Sequence, residues 1–245
     1  MKWRHTACLL LLQAALQGHS ALAQVPDFAG TWLPVPAMST PWDAATLPLT
    51  DLARERLAAF DPRRHDSTYF CMPFGTPRNI LNTAERPLKV LQGETQLTLL
   101  FDGLGDVRRV FLDGRPQPED PVPGWMGASI GRWEGSTLHV ETIALTGESI
   151  LSEAGLPHGE SLRVEEELRL VEANGEQLLQ VDLSLTDPEF YTGTLTARRW
   201  FRRAPDAIPS EGSAHCLMDQ WRRRLEDYNR GLYRDLQAER GELQP

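Results

Sequence analysis

Three charged residues stand where strand patterning calls for apolar ones. In "SLRVEEELRLV" (161–171), alternate positions place Leu162, Val164, Glu166, Leu168 and Leu170 on one face and Arg163, Glu165, Glu167 and Arg169 on the other. Successive strand side chains point to opposite faces, so Glu166 shares the apolar, inward face. The same reading sets Arg199 among Leu195, Ala197 and Phe201, and Arg109 between Val107 and Phe111. A carboxylate moved into an apolar interior is costly unless it is paired. The expected partner of Glu166 is therefore Arg199 or Arg109. Such a pair can be purely structural. It can also form the polar floor of a ligand cavity, with Glu166 as acid or base. A slip of one residue in register would turn any of these side chains outward.

His158 is the second candidate acid–base group, because imidazole titrates near neutrality. It lies in a Gly/Pro-containing loop, "AGLPHGES", where a histidine can also simply be exposed. The stretch "GWMGASIGRWEG" (124–135) supplies Trp125 and Met126 as walls of an apolar pocket. Trp133, in mid-strand, reads as core. Arg78 in "GTPR" suits an anionic group or a loop carbonyl, and Tyr191 in "TDPEFYT" joins the ligand-binding candidates. The chain has no phosphate-binding glycine loop, nucleotide fingerprint, HExxH pair or GxSxG elbow. No Cys/His spacing matches a zinc finger, and no spacing favours a Ser–His–Asp hydrolase. No cofactor is implied.

These residues must be positioned by strands. "GTW" (30–32) reads as the first. "TDLARERLAAF" (50–60) reads as a helix, capped by Thr50, with Leu52, Leu57 and Phe60 as its apolar stripe. From residue 88 the period falls to two. "LKVLQG", "TQLTLLF" and "DVRRVFL" come first. "ASIGRWE" and "STLHVETIA" follow a proline-rich loop and flank a turn at Glu134–Gly135. "SLRVEEELRLV", "EQLLQVDLSL" and "GTLTARRWFRR" end the series, with an Asn174–Gly175 hairpin turn between the first two. Residues 217–239 read as a charged C-terminal helix. The expected fold is mainly β: an up-and-down antiparallel meander of about eight or nine strands closing into a lipocalin-like barrel. At that size the interior is filled by side chains or holds one small ligand.

The N-terminus has a basic start, a short apolar run at 7–16 and "ALA" at 21–23, the pattern of a signal peptide cleaved after Ala23. Cleavage leaves 222 residues, suited to one domain. The expected parts are a signal at 1–23, an N-terminal strand, helix and Pro-rich loop at 24–87, the barrel at 88–203, and a C-terminal linker and helix at 204–245. The 25 basic residues less Lys2 and Arg4 leave 23 against 34 acidic, a formal charge of −11. That balance argues against nucleic acid and anionic membrane surfaces as partners. No later apolar run is long enough to span a bilayer. Two cysteines survive cleavage, Cys71 and Cys216, and in an oxidising compartment they are expected to pair.

Several motifs occur together in one order: "DFAGTW" (27–32), "CMPFGTPR" (71–78), "DGRPQPED" (113–120), "GWMGASIGRWEG" (124–135), "LPHGESL" (156–162), "VEEELR" (164–169) and "TDPEFYT" (186–192). The set resembles a family of exported bacterial proteins of unknown function, over nearly the whole mature chain. The resemblance implies export and a fold spanning the mature chain, but no activity; the barrel is inferred from the strand pattern. Members of that family usually have histidine where this chain has Gln117 and Ala128, and their third histidine matches His158. Three histidines at one barrel mouth would suit a divalent metal or acid–base chemistry. With one of the three kept, no bound metal is expected here.

The leading expectation is an exported β-barrel that binds a small, mainly apolar molecule. The second is an enzyme of the same fold, a hydrolase, isomerase or lyase using His158 and Glu166. The third is a structural or interaction protein with a filled barrel.

Overall fold

Nine short strands follow one another along the chain. In the computed structural model, which describes residues 25–39, 42, 44–81, 87–101, 104, 106–205, 222–223 and 225–231, they close into one barrel. They are β1 (Gly30–Pro34), β2 (Leu88–Gln92), β3 (Gln96–Phe101), β4 (Val107–Phe111), β5 (Ala128–Glu134), β6 (Thr137–Ile143), β7 (Arg163–Ala173), β8 (Glu176–Thr186) and β9 (Leu195–Arg203). Each pairs with the next, and β1 pairs with β9 through Trp32↔Arg203 and Pro34↔Phe201.

One neighbouring pair departs from the antiparallel meander. β4 and β5 run parallel, with Val110 opposite Ser129. Directions cannot alternate all the way round a closed ring with an odd number of strands, so at least one pair must be parallel. A parallel pair needs a connection long enough to return to the starting end of the sheet. Residues 112–127, with prolines at 116, 118, 121 and 123, provide it.

The interior follows the period-two reading on most strands. Leu88 and Val90, Leu97 and Leu99, Leu138 and Val140, Val164 and Leu168, Val181 and Leu183, and Leu195 and Phe201 are all buried. β4 is the exception. Arg108 and Val110 point inward at 1% exposure each, whereas Val107 and Arg109 are exposed. The expected inward face of Arg109 is thus wrong by one residue. "VRRVF" carries apolar side chains at both parities, and a five-residue strand has too few positions to decide between them.

Two turns show why their residues are needed. At the β7–β8 hairpin Asn174 and Gly175 have φ of 54° and 80°, as a two-residue primed turn requires. Between β5 and β6 the turn residues are Gly135 and Ser136, one position later than expected, because Glu134 still pairs with Thr137.

Segments outside the barrel strands cover one end of it. Helix α1 (Asp51–Ala58) starts where Thr50 Oγ1 accepts from the Ala53 amide. It is followed by α2 (Pro62–His65) and, after a short 3-10 turn at Ser67–Phe70, by α3 (Arg78–Leu81). The residues just before α1 meet the connection between β8 and β9, distant in sequence but close in space. The Thr50 amide donates to the Phe190 carbonyl at 2.9 Å, the Thr192 amide to the Pro48 carbonyl at 2.8 Å, and Leu49 bridges to Tyr191. Residues 222, 223 and 225–231 are helical, and Tyr228 meets Phe70 edge-on at 5.3 Å. No helix among the described residues is long and apolar enough to cross a membrane. The signal segment and Cys216 lie outside the described residues, as does much of the expected helix at 217–239.

Candidate functional site

Inside the barrel, four consecutive strands contribute one polar residue each. Arg108 of β4, Ser129 of β5, Thr142 of β6 and Glu166 of β7 are all at most 3% exposed. The Arg108 guanidinium grips both Glu166 oxygens, with Nη1 donating to Oε1 at 3.0 Å and Nη2 donating to Oε2. Its Nε donates to Ser129 Oγ at 3.1 Å and its Nη2 to Thr142 Oγ1 at 2.7 Å. The two hydroxyls share a further bond of 2.8 Å. Four of the five guanidinium N–H groups are thereby used, and both carboxylate oxygens accept from Arg108. A carboxylate held in both positions by a permanently charged guanidinium has the geometry of a structural ion pair in a satisfied network. Glu166 lies on the expected face. Its cation, though, is Arg108, not Arg109 or Arg199.

Arg199 does lie on the inward side of β9, half-buried. Its Nε donates to the Leu81 carbonyl of α3 at 2.9 Å and its Nη1 to the Arg198 carbonyl at 3.1 Å. Burial lowers its pKa from the usual guanidinium value. Arg78 takes an anionic partner from within the chain, with two bonds of 2.7 and 2.8 Å to the Asp66 carboxylate. Burial alone would raise the Asp66 pKa, but Arg78 and the Thr68 hydroxyl and amide outweigh it and hold the carboxyl below its ordinary value.

Trp125 and Met126 are half-buried and tied to α3 and its approach. The Thr76 amide donates to the Trp125 carbonyl at 2.8 Å, and the Asn79 side-chain amide to Met126 Sδ at 3.5 Å. Gly127 follows at φ 63°, where a Cβ would fall 2.5 Å from the Ile143 carbonyl. The glycine-rich stretch is a backbone junction that lets the crossover loop press onto β6. Trp133 is half-buried and packs on the core, with Phe28 5.1 Å away.

A second polar constellation lies at the end of the barrel covered by α1. His158 is 3% exposed. Its Nδ1 contacts the Gly159 carbonyl at 3.1 Å and its Nε2 the Ser149 hydroxyl at 2.7 Å. A carbonyl only accepts, so Nδ1 carries the hydrogen and the neutral ring's Nε2 is the acceptor. Ser149 Oγ–H therefore donates to His158. Burial lowers the His158 pKa, against smaller opposing effects of the Gly159 carbonyl and the Asp187 charge, which favours a neutral ring at pH 7. Asp187 is itself 1% exposed, and its Oδ2 accepts from the Gly159 amide at 2.7 Å. Tyr191 is buried beside it, its hydroxyl donating to the Pro157 carbonyl at 2.7 Å, and burial followed by the Asp187 charge raises its pKa.

Ser149 and His158 line a pocket of about 360 Å³. Phe60, Ile150, Pro157 and Phe190 give it apolar surface, with Arg56 and His65 on the helical side and Glu148, Glu160 and Glu189 also in the lining. The Phe60 ring is set flush against Gly155, where a Cβ would come within 2.2 Å of it. A wider groove of about 700 Å³ runs over the outer face of β5 to β9, past Arg132, Glu141, Glu165, Asp182 and Arg198. Its charges are largely matched within the face: Arg163 pairs with Glu141, and Arg169 and Arg198 with Asp182. The smaller pocket combines apolar surface with several polar and charged groups, a mixture compatible with a small-molecule site.

His158 and Glu166 thus have separate sets of partners. Sequence reading identified His158 but missed Ser149, Asp187 and Arg108. Gln117, Ala128 and His158 also differ in their contacts. The Gln117 side chain donates to the Glu141 carbonyl at 3.0 Å, Ala128 pairs with Ile143, and His158 bonds Ser149. Among the described residues, no group of three or more His, Cys, Asp or Glu side chains is placed to hold a metal ion. Comparison with protein-family models and with curated proteins finds no match.

Proposed function

We propose that this is an exported protein that binds a small, mainly apolar molecule, and that the molecule sits in the pocket floored by Ser149 and His158 rather than on the Arg108–Glu166 pair inside the barrel. One observation carries this reading. A buried, directional Ser149–His158 bond lines a pocket where Phe60, Ile150, Pro157 and Phe190 supply apolar surface beside the charged side chains of Arg56, Glu148, Glu160 and Glu189. The barrel's own charged pair is, by contrast, satisfied by its neighbours and closed to exchange with a ligand. The apolar walls supply affinity, and the hydroxyl and imidazole orient a polar end of the ligand. The signal-like N-terminus and the motif resemblance to exported bacterial proteins support export.

The test uses 8-anilinonaphthalene-1-sulfonate, an aromatic probe of suitable size. One saturable site is expected on the full mature chain. Ala59→Trp, an exposed position on the pocket wall, should remove it without lowering Tm. Binding that persists unchanged in Ala59→Trp would place the site elsewhere.

A further inference from the structure

We propose that the Ser149–His158 pair is a nucleophile and its general base, and that the protein cleaves small esters with an apolar acyl or alcohol group in this pocket. The proposal rests on the binding reading of the same pocket and adds chemistry to it. A serine hydroxyl becomes a nucleophile when a neutral imidazole accepts its hydrogen bond and a third group orients the ring. All three conditions are met in this loop cluster. Ser149 Oγ is 2.7 Å from Nε2, the acceptor nitrogen. The Nδ1–H is fixed by the Gly159 carbonyl. The Gly159 amide is held in turn by the buried Asp187 carboxylate, so a single acidic residue sets the position of the orienting peptide and places negative charge near the ring.

The loop itself is braced for this arrangement. The Leu151 amide bonds the Leu156 carbonyl, and the Tyr191 hydroxyl bonds the Pro157 carbonyl, which fixes both ends of the Ser149–His158 excursion. A merely structural serine–histidine bond could sit anywhere in the core. This one lies on the wall of a cavity that also presents Phe60, Ile150 and Phe190 as apolar surface and Arg56, Glu160 and Glu189 as charged groups.

The reaction balances with water as the co-reactant. As Oγ bonds to the ester carbonyl carbon, its proton passes to Nε2. The carbon–oxygen bond to the alcohol then breaks, and the Nε2 proton goes to the departing alkoxide. Water next attacks the acyl group on Ser149, gives a proton to Nε2, and the acid leaves as Oγ recovers that proton. The products are one alcohol and one acid. During each transfer the imidazolium is stabilised by the Gly159 carbonyl and the Asp187 charge.

The experiment treats the full mature chain with a short-alkyl fluorophosphonate, which traps nucleophilic serines by loss of fluoride. Adducts are mapped by peptide mass spectrometry, and the same preparation is titrated with anilinonaphthalene sulfonate. About one adduct per chain is expected, on Ser149. His158→Gln should slow its formation by about 100-fold or more. Hydrolysis of p-nitrophenyl butyrate should disappear in Ser149→Ala. Mapping on the unmodified chain decides the matter even if a variant fails to fold. Probe binding with no adduct on Ser149 would overturn the catalytic proposal and leave the binding reading intact. Neither binding nor adduct would overturn both. An adduct confined to another serine would also overturn it.

Discussion

Arg108 and Glu166 give the sharpest test at the level of single residues. Each is buried with the other as its counter-charge, so removing one leaves an unpaired charge in the barrel, a loss of roughly 3–5 kcal/mol. Arg108→Met and Glu166→Leu should each lower Tm strongly. The double variant should recover most of that loss, because two apolar groups replace the pair. Arg109→Ala should change stability by no more than about 0.5 kcal/mol, as an exposed side chain does. Urea melts of the four variants measure all of this, and simple additivity of the two core substitutions would count against the pairing. His158 gives a pH-dependent expectation. Its folded pKa is lowered by burial, so the folded state resists protonation more than the unfolded chain does. The stability it confers is complete above the ordinary value of 6.5 and is lost as pH falls below it towards the lowered folded value. In His158→Asn, Tm plotted between pH 5 and 8 should be flatter than in the parent. Glu166 could be placed from the sequence because "LRVEEELRL" has one apolar parity. Ser149 could not be, since one serine in a loop has no periodicity and its partner is fixed only by how residues 146–160 fold back.

At the level of elements, the strand series was legible almost to the residue, because alternation and turn residues are local properties. The parallel β4–β5 pair was not. It follows from closing a ring of nine strands, a condition no single segment contains. The crossover that this pair requires presses Gly127 against β6, and two glycines separate conformational strain from close packing. At Gly127 a side chain meets both a left-handed φ of 63° and the Ile143 carbonyl at 2.5 Å. At Gly135 φ is 61° but nothing lies within 4 Å. Gly135→Ala should cost about 1–2 kcal/mol from backbone conformation alone. Gly127→Ala should cost about 2–4 kcal/mol, since crowding adds to the same strain. Equal losses in denaturant melts would mean that the crossover does not pack as described. The site divides in the same way: "LPHGES" marked a loop with a histidine, but the pocket's other wall, Arg56 to His65, comes from a helical segment almost a hundred residues earlier.

On the scale of the molecule, residues 56–65, the loop at 147–160 between β6 and β7, and Glu189 and Phe190 between β8 and β9 line the pocket together, so ligand binding should stabilise the whole fold by mass action. The contact of Tyr228 with Phe70 brings the C-terminal helix beside Cys71, in keeping with the proposed Cys71–Cys216 bridge. Intact mass of the protein recovered from its host under non-reducing conditions is expected to show a chain beginning at Gln24 and two hydrogens lighter than the reduced form, as the proposed export and bridge require. Two free thiols would refute the bridge. Metal analysis of the same material should find no stoichiometric zinc or iron if, as the motif resemblance implies, Gln117 and Ala128 stand where histidines would complete a site. The central claim is that the ligand occupies the pocket over Ser149 and His158 and not the barrel interior. The most direct test follows the ¹⁵N resonances of the His158 ring and of the Trp32 indole during titration with anilinonaphthalene sulfonate. Trp32 is fully buried in the core, its Nε1–H bonded to the Phe28 carbonyl at 2.8 Å, and so reports on the barrel. The His158 ring signals should start in the Nδ1–H form and shift to saturation with the bound fraction, while Trp32 stays still. A saturable shift of Trp32 with an unmoved His158 would contradict the claim.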